Sequence, residues 1–368
     1  MLVGVDASRA VGRRRTGTET YSYHLIRNLL SLGSPHRYVV YFNTPPAPGD
    51  FAGLAADIRS MPFPRLWTHL RLSIEMVRQP PDVLFVPAHV LPAIHPRRTV
   101  VTVHDLGHLR WPETHALARR LYLDLSTRRD VSAATFVVAV SGATRDDLIR
   151  YYGVPAAKIR VVHHACGPEF RPQSEREVAG AREKYGIDGD YVITVGTVQP
   201  RKNLARLIEA FGSARASAGS RATLVVAGGP GWRAEEAYRA AEPLGGAVRF
   251  LGYVPHDDLP PLLGGAGALA FPSLHEGFGL PALEAMACGT PVVASNTSSL
   301  PEVVGDAALL VDPTDVDSIA QALARTLGDS DLRARLRERG LERARLFSWR
   351  RCAEETLRVL EEAVAAPG

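Results

Sequence analysis

Short apolar runs alternate with longer amphipathic stretches along most of this 368-residue chain, a pattern typical of α/β proteins with parallel sheets. Each apolar run is bounded by Gly, Pro or polar residues, so we predict a buried strand in each. A chain of this length, with strands and helices in both halves, suits two Rossmann-like domains facing across a cleft. The predicted strands lie at residues 2–6, 37–42, 83–86, 99–103, 135–140, 191–196, 223–227, 248–251, 267–271 and 292–295.

A polar stretch near the middle of the chain, at residues 171–183, is the predicted linker between the two domains. We therefore assign residues 1–172 to an N-terminal domain and residues 173–348 to a C-terminal domain. A final helix is predicted at about residues 349–368.

Two predicted helices of the first half carry functional hypotheses. The first, at residues 18–32, follows the first strand through a loop that ends in Thr16-Gly17, and such a loop at a helix start is suited to binding phosphate. The second, at residues 65–79, is either an ordinary half-buried helix or a helix with a basic face that rests on anionic lipid. Its predicted inner face consists of Leu66, Leu70, Ile74 and Val77, with Arg71 and Arg78 off that face.

The stretch 267–295 predicts a strand, a Gly- and Pro-rich loop, a helix and a second strand. Glu276 lies in the loop and Glu284 on the helix, so the two carboxylates can flank one pocket at the carboxyl edge of a parallel sheet. The glycines at 277 and 279 leave the loop backbone open to close approach by a ligand. The alternative is a surface loop with a solvated Glu276 and a Glu284 paired to an arginine.

Two other strand ends carry charged or titratable residues. Arg201 and Lys202 follow strand 191–196 and precede a helix, so they form either a polyanion site or a solvated surface pair. His104 and Asp105 follow strand 99–103, where a single histidine is either structural or a ligand-binding group.

Residues His275 to Ser295 read His-Glu-Gly-Phe-Gly-Leu-Pro-Ala-Leu-Glu-Ala-Met-Ala-Cys-Gly-Thr-Pro-Val-Val-Ala-Ser. This stretch resembles the Glu-x7-Glu signature of family-four retaining glycosyltransferases, which have the GT-B fold. The resemblance implies that Glu276 contacts the donor sugar and Glu284 the ribose hydroxyls. It also implies that a final helix crosses back onto the first domain. The other donor-binding residues implied are Gly17, Gly196, Tyr253, Val254, Gly277, Phe278, Gly279 and Leu280.

Two further motifs match the same family. Gly196 and the following Arg201-Lys202-Asn203 match an element whose Arg and Lys hold the donor diphosphate, and Val-His-Asp-Leu around His104 matches a motif whose His faces the donor sugar and acceptor. The catalytic residues implied by the resemblance are therefore His104, Glu276, Arg201 and Lys202.

The implied reaction moves a hexose from a GDP- or UDP-linked sugar to a glycan, lipid-linked or small-molecule acceptor, as in cell-surface polysaccharide or glycolipid synthesis. Mannose is the first candidate sugar. No Asp-x-Asp motif adjoins the donor unit, so we expect no metal and no cofactor beyond the nucleotide-sugar co-substrate. A GT-B epimerase or a non-catalytic nucleotide-sugar-binding protein are the alternatives.

Charge is unevenly distributed and bears on partners. Residues 1–175 carry 22 Lys/Arg against 14 Asp/Glu, whereas residues 176–368 carry 21 against 25. A basic first half suggests a phosphorylated acceptor or an anionic membrane surface as partner, and no nucleic-acid-binding module is recognisable.

The three cysteines follow no metal spacing and fit a reducing compartment, so we expect a cytoplasmic protein, either soluble or peripheral at the inner face of the membrane. His163 and His164 beside Cys166 do not predict a metal site, because adjacent side chains of a strand point in opposite directions.

Overall fold

The computed structural model describes residues 1–12, 17–88, 90–112 and 117–367, without the side chain of Arg119. The chain divides into two compact units. The first comprises Met1–Leu109, Leu117–Ala165 and Ser348–Gly368, and the second comprises Cys166–Phe347 with a short piece that begins at Arg110. The change of unit along the chain falls after Ala165, whereas the sequence analysis placed it after residue 172.

The first unit is built on a seven-stranded sheet in which every pairing is parallel. The strand order is β3-β2-β1-β4-β5-β6-β7. Strands β1 to β3 are added toward one edge of the sheet and β4 to β7 toward the other, so the order switches between β1 and β4 as in a Rossmann fold. The edge strands β3 and β7 are not among the strands predicted above. The strands are β1 (Leu2–Asp6), β2 (Arg37–Phe42), β3 (Asp57–Ser60), β4 (Val83–Val86), β5 (Thr99–Val103), β6 (Phe136–Ala139) and β7 (Ile159–Val161).

Helices cover both faces of this sheet, and the C-terminal helix α14 packs against α1 within the same unit. Buried Leu84, Val101 and Val137 of three neighbouring strands form the centre of its core with Leu72 and Met76. The helices that belong to this part of the chain are α1 (Gly17–Leu30), α2 (Ser73–Arg78), α3 (Gly107–Arg110), α4 (Leu117–Ala133), α5 (Gly142–Tyr152) and α14 (Trp349–Ala365).

The helix predicted at residues 65–79 is present only in part, and its predicted inner face is wrong. A π-helical turn over Thr68–Leu72 precedes α2, and the N–H of Leu72 donates to the carbonyl of Trp67. Trp67, Leu72 and Met76 are the buried apolar side chains of this segment, so it packs into the core through a different face from the predicted one. The four residues predicted to face inward are instead exposed, by 64% for Leu66, 48% for Leu70, 45% for Ile74 and 63% for Val77.

The second unit is a parallel six-stranded sheet in the order β10-β9-β8-β11-β12-β13, with its own reversal between β8 and β11. All five strands predicted for this half are present, and β13 is additional. The strands are β8 (Tyr191–Val195), β9 (Thr223–Ala227), β10 (Val248–Gly252), β11 (Ala268–Phe271), β12 (Val292–Ser295) and β13 (Ala308–Val311).

The core of the second unit lies between this sheet and a pair of packed helices, α7 and α12. Leu207, Ile208 and Phe211 of α7 are fully buried there with Ile319 and Leu323 of α12, as the apolar spacing of residues 204–211 predicts. The helices of this unit are α6 (Glu175–Tyr185), α7 (Leu204–Ser217), α8 (Glu235–Ala241), α9 (Leu259–Gly264), α10 (Leu280–Cys288), α11 (Leu300–Val304), α12 (Val316–Gly328) and α13 (Ser330–Ala344).

Candidate functional site

The topology of the second sheet brings two of the predicted motifs together. Strands β8 and β11 are hydrogen-bonded neighbours, with Leu269 opposite Ile193, and they flank the point where the strand order reverses. Ligands of open α/β sheets bind outside the carboxyl ends of the strands at such a point. The segment after β8 carries Arg201 and Lys202, and the segment after β11 carries Glu276.

The two cations lie on a 3₁₀ turn, Pro200–Lys202, directly before α7. The turn is fixed by Asn203, which adopts a left-handed backbone conformation with φ of 59°. Its side-chain amide donates to the carbonyls of Pro272 at 3.0 Å and Pro313 at 2.6 Å. Asn203 therefore joins the cation turn to the loop that carries Glu276, a role that its sequence position alone does not reveal.

Arg201, Lys202 and Glu276 form one buried ionic cluster. The Lys202 Nζ lies 2.6 Å from one carboxylate oxygen of Glu276, and the Arg201 Nη1 lies 2.9 Å from the other. The exposed fraction of the side chain is 16% for Arg201, 12% for Lys202 and 9% for Glu276. Burial raises the pKa of Glu276, but the charges of Arg201 and Lys202 outweigh burial and bring that pKa down to about 2. The Glu276 carboxyl is therefore ionised at neutral pH.

The loop before α10 is held by serines at the end of β12 and in the segment that follows it. The Ser295 hydroxyl donates to the carbonyl of Ser273 at 2.6 Å, and the N–H of Glu276 donates to the Ser298 hydroxyl at 3.0 Å. The Ser299 hydroxyl is shared between the carbonyls of Glu276 and Phe278, each at 2.9 Å. The sequence gives no signal for the role of these serines, because their partners lie more than 20 residues away and no spacing rule connects them.

The helix α10 begins and ends where the sequence predicts. Gly279, at φ of 100°, precedes its first turn, Pro281 lies in that turn, and Gly289, at φ of 77°, follows its last residue. A side chain at Gly279 would also collide with Leu300, whose Cδ2 lies 2.5 Å from the position of an added Cβ. Glycine at 279 therefore serves both the backbone conformation and the packing.

Glu284 is buried in a different electrostatic environment from that of Glu276. Burial raises its pKa to about 7, with a smaller contribution from Glu169, while the nearby charges of His256 and Lys202 act in the opposite direction. The Cys166 thiol also lies near this carboxyl, and burial together with the Glu284 charge raises the Cys166 pKa to about 12. Glu284 thus lies between the cation turn and a second polar pair.

That second pair consists of His256 and Glu169, and it too was missed. The His256 Nε2 lies 2.7 Å from a Glu169 carboxylate oxygen, and this hydrogen bond raises the pKa of His256. Both side chains are about one-third exposed. His256 lies two residues after Val254, one of the predicted donor-binding residues, so a polar residue at that place is a usable signal in the sequence, whereas Glu169 gives none.

The other predicted donor residues of the second unit surround the same strand ends. Gly196 has φ of 137°, and an added Cβ there would lie 3.0 Å from Lys202 Cε, so glycine lets the lysine side chain pass. Tyr253 is 47% exposed and Val254 is buried in the segment after β10. In the loop before α10, Gly277 and Phe278 are buried and Leu280 is half-buried.

The remaining predicted residues belong to the first unit. His104 follows β5 and Pro87 follows the neighbouring strand β4, and the His104 Nε2 lies 2.8 Å from the Pro87 carbonyl. Because a carbonyl only accepts, Nε2 carries a proton. The His104 ring also meets Tyr21 edge-on, with centroids 4.9 Å apart. Gly17 is the exposed first residue of α1, and the loop residues 13–16 before it lie outside the described part of the chain.

His164, which the sequence analysis excluded as a metal ligand, is buried against aromatic rings. It stacks on Tyr21 with centroids 4.3 Å apart, and burial holds the pKa of His164 well below its usual range. Among the residues described by the structure, no group of three or more His, Cys, Asp or Glu side chains could hold a metal ion.

Comparison with known proteins decides the family. Residues 179–343 match the model of the glycosyl transferases group 1, and residues 15–170 match the model of Glycosyltransferase Family 4. The O-antigen chain mannosyltransferase B of Escherichia coli is 38% identical over 263 residues, which cover 71% of this chain and 69% of that protein. The chain belongs to glycosyltransferase family 4.

This glycosyltransferase is also similar to a longer mannosyltransferase and to a solved glycosyltransferase structure of similar length. The serotype-specific mannosyltransferase WbdA of E. coli is 31% identical over 263 residues, and the match covers 69% of this chain but 32% of WbdA. The crystal structure of Anabaena HepE in complex with UDP-glucose superposes with a TM-score of 0.76 at 19% identity, over 98% of this chain and 99% of HepE. The enzyme has the GT-B fold, with two Rossmann-like domains.

Proposed function

We propose that this glycosyltransferase moves a hexose, with mannose as the first candidate, from a GDP- or UDP-linked donor with retention of anomeric configuration. The observation that carries the proposal is the buried cluster of Arg201, Lys202 and Glu276 at the switch point of the second sheet. Fixed cations beside a helix start suit a diphosphate, and a carboxylate beside them suits sugar hydroxyls. Support for mannose comes from the name of the 38% identical relative.

In the proposed reaction the acceptor hydroxyl oxygen bonds to the anomeric carbon on the face from which the phosphate leaves. The carbon–oxygen bond to the diphosphate breaks, and the leaving phosphate oxygen takes the acceptor proton. Arg201 and Lys202 stabilise the charge that develops on that phosphate. Glu276 orients the donor sugar, Glu284 accepts from the ribose hydroxyls, and His104 of the first unit binds the sugar or the acceptor.

The acceptor is proposed to be a glycan, a lipid-linked sugar or a small molecule, in polysaccharide or glycolipid synthesis. A relative named for O-antigen chains supports the polysaccharide branch of this proposal.

A donor panel tests the proposal. The purified protein is incubated with GDP-mannose, UDP-glucose and UDP-galactose and a set of mannose-terminated acceptors, with and without excess EDTA. We expect transfer from one nucleotide class, an α-linked product from an α-linked donor by NMR, and unchanged turnover in EDTA. A β-linked product, a free epimerised sugar, or binding without turnover of any donor would contradict the proposed reaction.

A second component of the proposal concerns the membrane, and it rests on an exposed apolar surface of the first unit. On the π turn and α2 the exposed side chains are Leu66, Leu70, Ile74 and Val77, and on α4 they are Leu117, Leu121, Tyr122 and Leu125. Segment 91–94 joins the two helices, because Arg129 of α4 donates to the carbonyls of Leu91 and Pro92 and the Ile94 N–H donates to Ser73. We call these eight exposed residues the apolar surface.

The charges around the apolar surface fit an anionic bilayer better than a second copy of this basic half. Arg65 and Arg78 are exposed at the two ends of the segment, whereas its one carboxylate, Glu75, is buried between Arg59 and Arg71. Large apolar side chains with flanking arginines bind peripherally to lipid headgroups and acyl chains. None of the helices in the described part of the chain is long and apolar enough to span a membrane.

Vesicle flotation tests the membrane component. Wild-type protein is expected to float with vesicles in which about one-third of the lipid is anionic and to remain at the bottom of the gradient with zwitterionic vesicles. Ile74→Ser with Val77→Ser should abolish flotation, whereas Leu346→Ser, at an exposed leucine of the second unit, should not. If wild-type protein does not float with anionic vesicles, membrane docking is refuted. If wild-type protein is a dimer and the same pair of substitutions dissociates it, the surface is instead an interface with a second copy.

A further inference from the structure

The donor site already contains an internal counter-ion for the cations assigned to the diphosphate. Both oxygens of Glu276 are engaged, one by Lys202 at 2.6 Å and the other by Arg201 at 2.9 Å. The three side chains are at least four-fifths buried, so water screens their interactions weakly. A diphosphate that binds these cations therefore meets a negative charge already bonded to them.

The backbone that carries the Glu276 carboxylate is held in place on both sides of the residue. The Glu276 N–H donates to Ser298, and the Glu276 carbonyl accepts from Ser299. Ser298 adopts φ of 55°, a conformation that non-glycine residues rarely adopt and that surrounding contacts must hold. The backbone of Glu276 is thus anchored on both sides.

The cations are equally constrained. The Arg201 guanidinium also donates to the carbonyl of His275, next to Glu276 in the chain, and the Leu274 N–H donates to the Arg201 carbonyl at 2.9 Å. The Lys202 ammonium lies 4.6 Å from the centroid of the Phe271 ring. Because these contacts hold the backbones of both partners and both carboxylate oxygens are bonded, we expect a bound diphosphate to share the cations with Glu276 instead of replacing it.

We propose that Glu276 has a second role beyond orienting the donor sugar: it is the resident counter-ion that keeps Arg201 and Lys202 ordered in the empty site and weakens their hold on the product nucleoside diphosphate. The inference rests on the proposed donor site. A donor compensates for the repulsion through sugar contacts with Glu276, whereas the product has lost its sugar and retains only the repulsion. The carboxylate therefore favours product release over donor release.

The test compares Glu276→Gln with wild type by calorimetric titration of GDP, UDP and inorganic pyrophosphate in buffer without phosphate. Glutamine keeps the shape of the side chain but removes its charge. For a repelling charge a few ångströms from the ligand, we expect the product nucleotide and pyrophosphate to bind about 10- to 100-fold more tightly. Turnover should fall at the same time.

Three further variants make the outcome specific. Glu276→Asp keeps the charge and should bind the product nucleotide as wild type does. Arg201→Met combined with Glu276→Gln should lose most of the gain in affinity. Asp306→Asn removes a carboxylate that is paired with Arg339, before β13 in the same unit, and should leave nucleotide affinity unchanged.

The results separate this inference from the proposed function. If wild-type protein binds neither nucleotide, the proposed donor site is wrong. If wild-type protein binds a nucleotide and Glu276→Gln, folded by circular dichroism, binds it equally or more weakly, the counter-ion role is overturned. If Glu276→Gln does not fold, the affinity of Glu276→Ala for the nucleotide is measured and judged by the same criterion. Pyrophosphate should also raise the melting temperature of Glu276→Ala by more than it raises that of wild type.

Discussion

At the residue scale, the pKa values of Glu276 and Glu284 move in opposite directions, although both carboxyls are buried on one loop–helix unit. Burial raises both values, but two cations bonded to Glu276 bring its pKa to about 2. Glu284 has weaker compensation from His256 and Lys202 and is opposed by Glu169, so its pKa rises to about 7. One carboxyl is therefore permanently ionised, and the other titrates near neutrality.

The raised pKa of Glu284 predicts pH-dependent nucleotide binding. In the proposed donor site the ribose hydroxyls would donate to the ionised carboxylate, so affinity should be highest well above pH 7 and should decline as the pH falls below 7. Between pH 8 and pH 6 we expect the dissociation constant of the nucleoside diphosphate to rise about tenfold, as one proton must be displaced. Calorimetry across this range measures the change.

The matched control is Glu284→Gln, which should bind more weakly by about 1–3 kcal/mol at pH 8 and show a flatter pH profile. Any remaining dependence reports the ligand phosphate and the His256–Glu169 pair. The folded pKa of Glu284 is raised above the unfolded value, so its contribution to stability is present at low pH and lost as the pH rises through 7. Identical profiles for the two proteins would show that Glu284 does not meet the ribose.

Arg201 and Lys202 are expected to carry much of the transition-state stabilisation. Replacement of either by Ala should lower kcat/KM by about 30- to 1000-fold, the effect of about 2–4 kcal/mol from one fixed charge. Arg201→Lys should rescue only partly, because the guanidinium bonds to both Glu276 and the His275 carbonyl. Arg215→Ala, at the far end of α7, should retain wild-type kinetics. Near-native rates in both alanine variants would place the diphosphate elsewhere.

The sequence indicated these residues as candidates for the donor site but not which of them form ion pairs. Spacing and resemblance pointed to Glu276, Glu284, Arg201 and Lys202. The bond between Lys202 and Glu276 joins positions 74 residues apart and follows from β8 lying beside β11. Periodicity gives strands but does not give their order, so the ionic cluster and the His256–Glu169 pair required the structure.

At the element scale, strands were predicted well where they are central and poorly at the edges. Central strands of a parallel sheet are buried on both faces and read as apolar runs. The edge strand β3, by contrast, has the sequence Asp-Ile-Arg-Ser and is largely exposed. The wrong face assigned to residues 65–79 has another cause: the four apolar residues do share one helical face, but that face is exposed, and the period alone does not tell which face is buried.

The junction between the cation turn and α7 is an element boundary with a testable energy. Asn203→Ala removes two buried donors to the carbonyls of Pro272 and Pro313 and places alanine at positive φ. We expect a loss of about 2–4 kcal/mol, seen as a fall of roughly 5–12 °C in the melting temperature of the second unit. Differential scanning calorimetry measures it.

Asn203→Gly separates the two causes, because glycine accepts positive φ without strain. Its melting temperature should lie between those of wild type and Asn203→Ala. If both variants melt as wild type does, the two amide bonds contribute nothing to the junction.

At the scale of the whole molecule, the two Rossmann-like domains follow from the repeated alternation of strands and helices, and that prediction is confirmed. The contacts made by the last helix are a different matter. Trp349 stacks on His24 with centroids 5.2 Å apart and planes within 10°, a contact between positions separated by most of the chain. Amphipathic spacing in residues 349–365 predicts a helix with a buried face but not its partner.

The C-terminal helix and the proposed donor-site residues belong to different units, so their substitutions should have different effects. Trp349 is 5% exposed and belongs to the first unit, packed against His24, Tyr21 and His164. Trp349→Ala should therefore destabilise that unit by about 3–5 kcal/mol, the cost of truncating a buried aromatic side chain, with a smaller loss for Trp349→Phe.

Nucleotide affinity should respond differently, because Arg201, Lys202, Glu276 and Glu284 all belong to the second unit. In calorimetry of Trp349→Ala we expect the unfolding transition of the first unit to shift to lower temperature. Below that transition temperature, the dissociation constant of the nucleoside diphosphate should stay within about twofold of wild type. Turnover should fall, because His104 shares the Tyr21 and His164 rings with Trp349. A loss of nucleotide affinity comparable to that of Glu284→Gln would show that donor binding depends on the first unit as well.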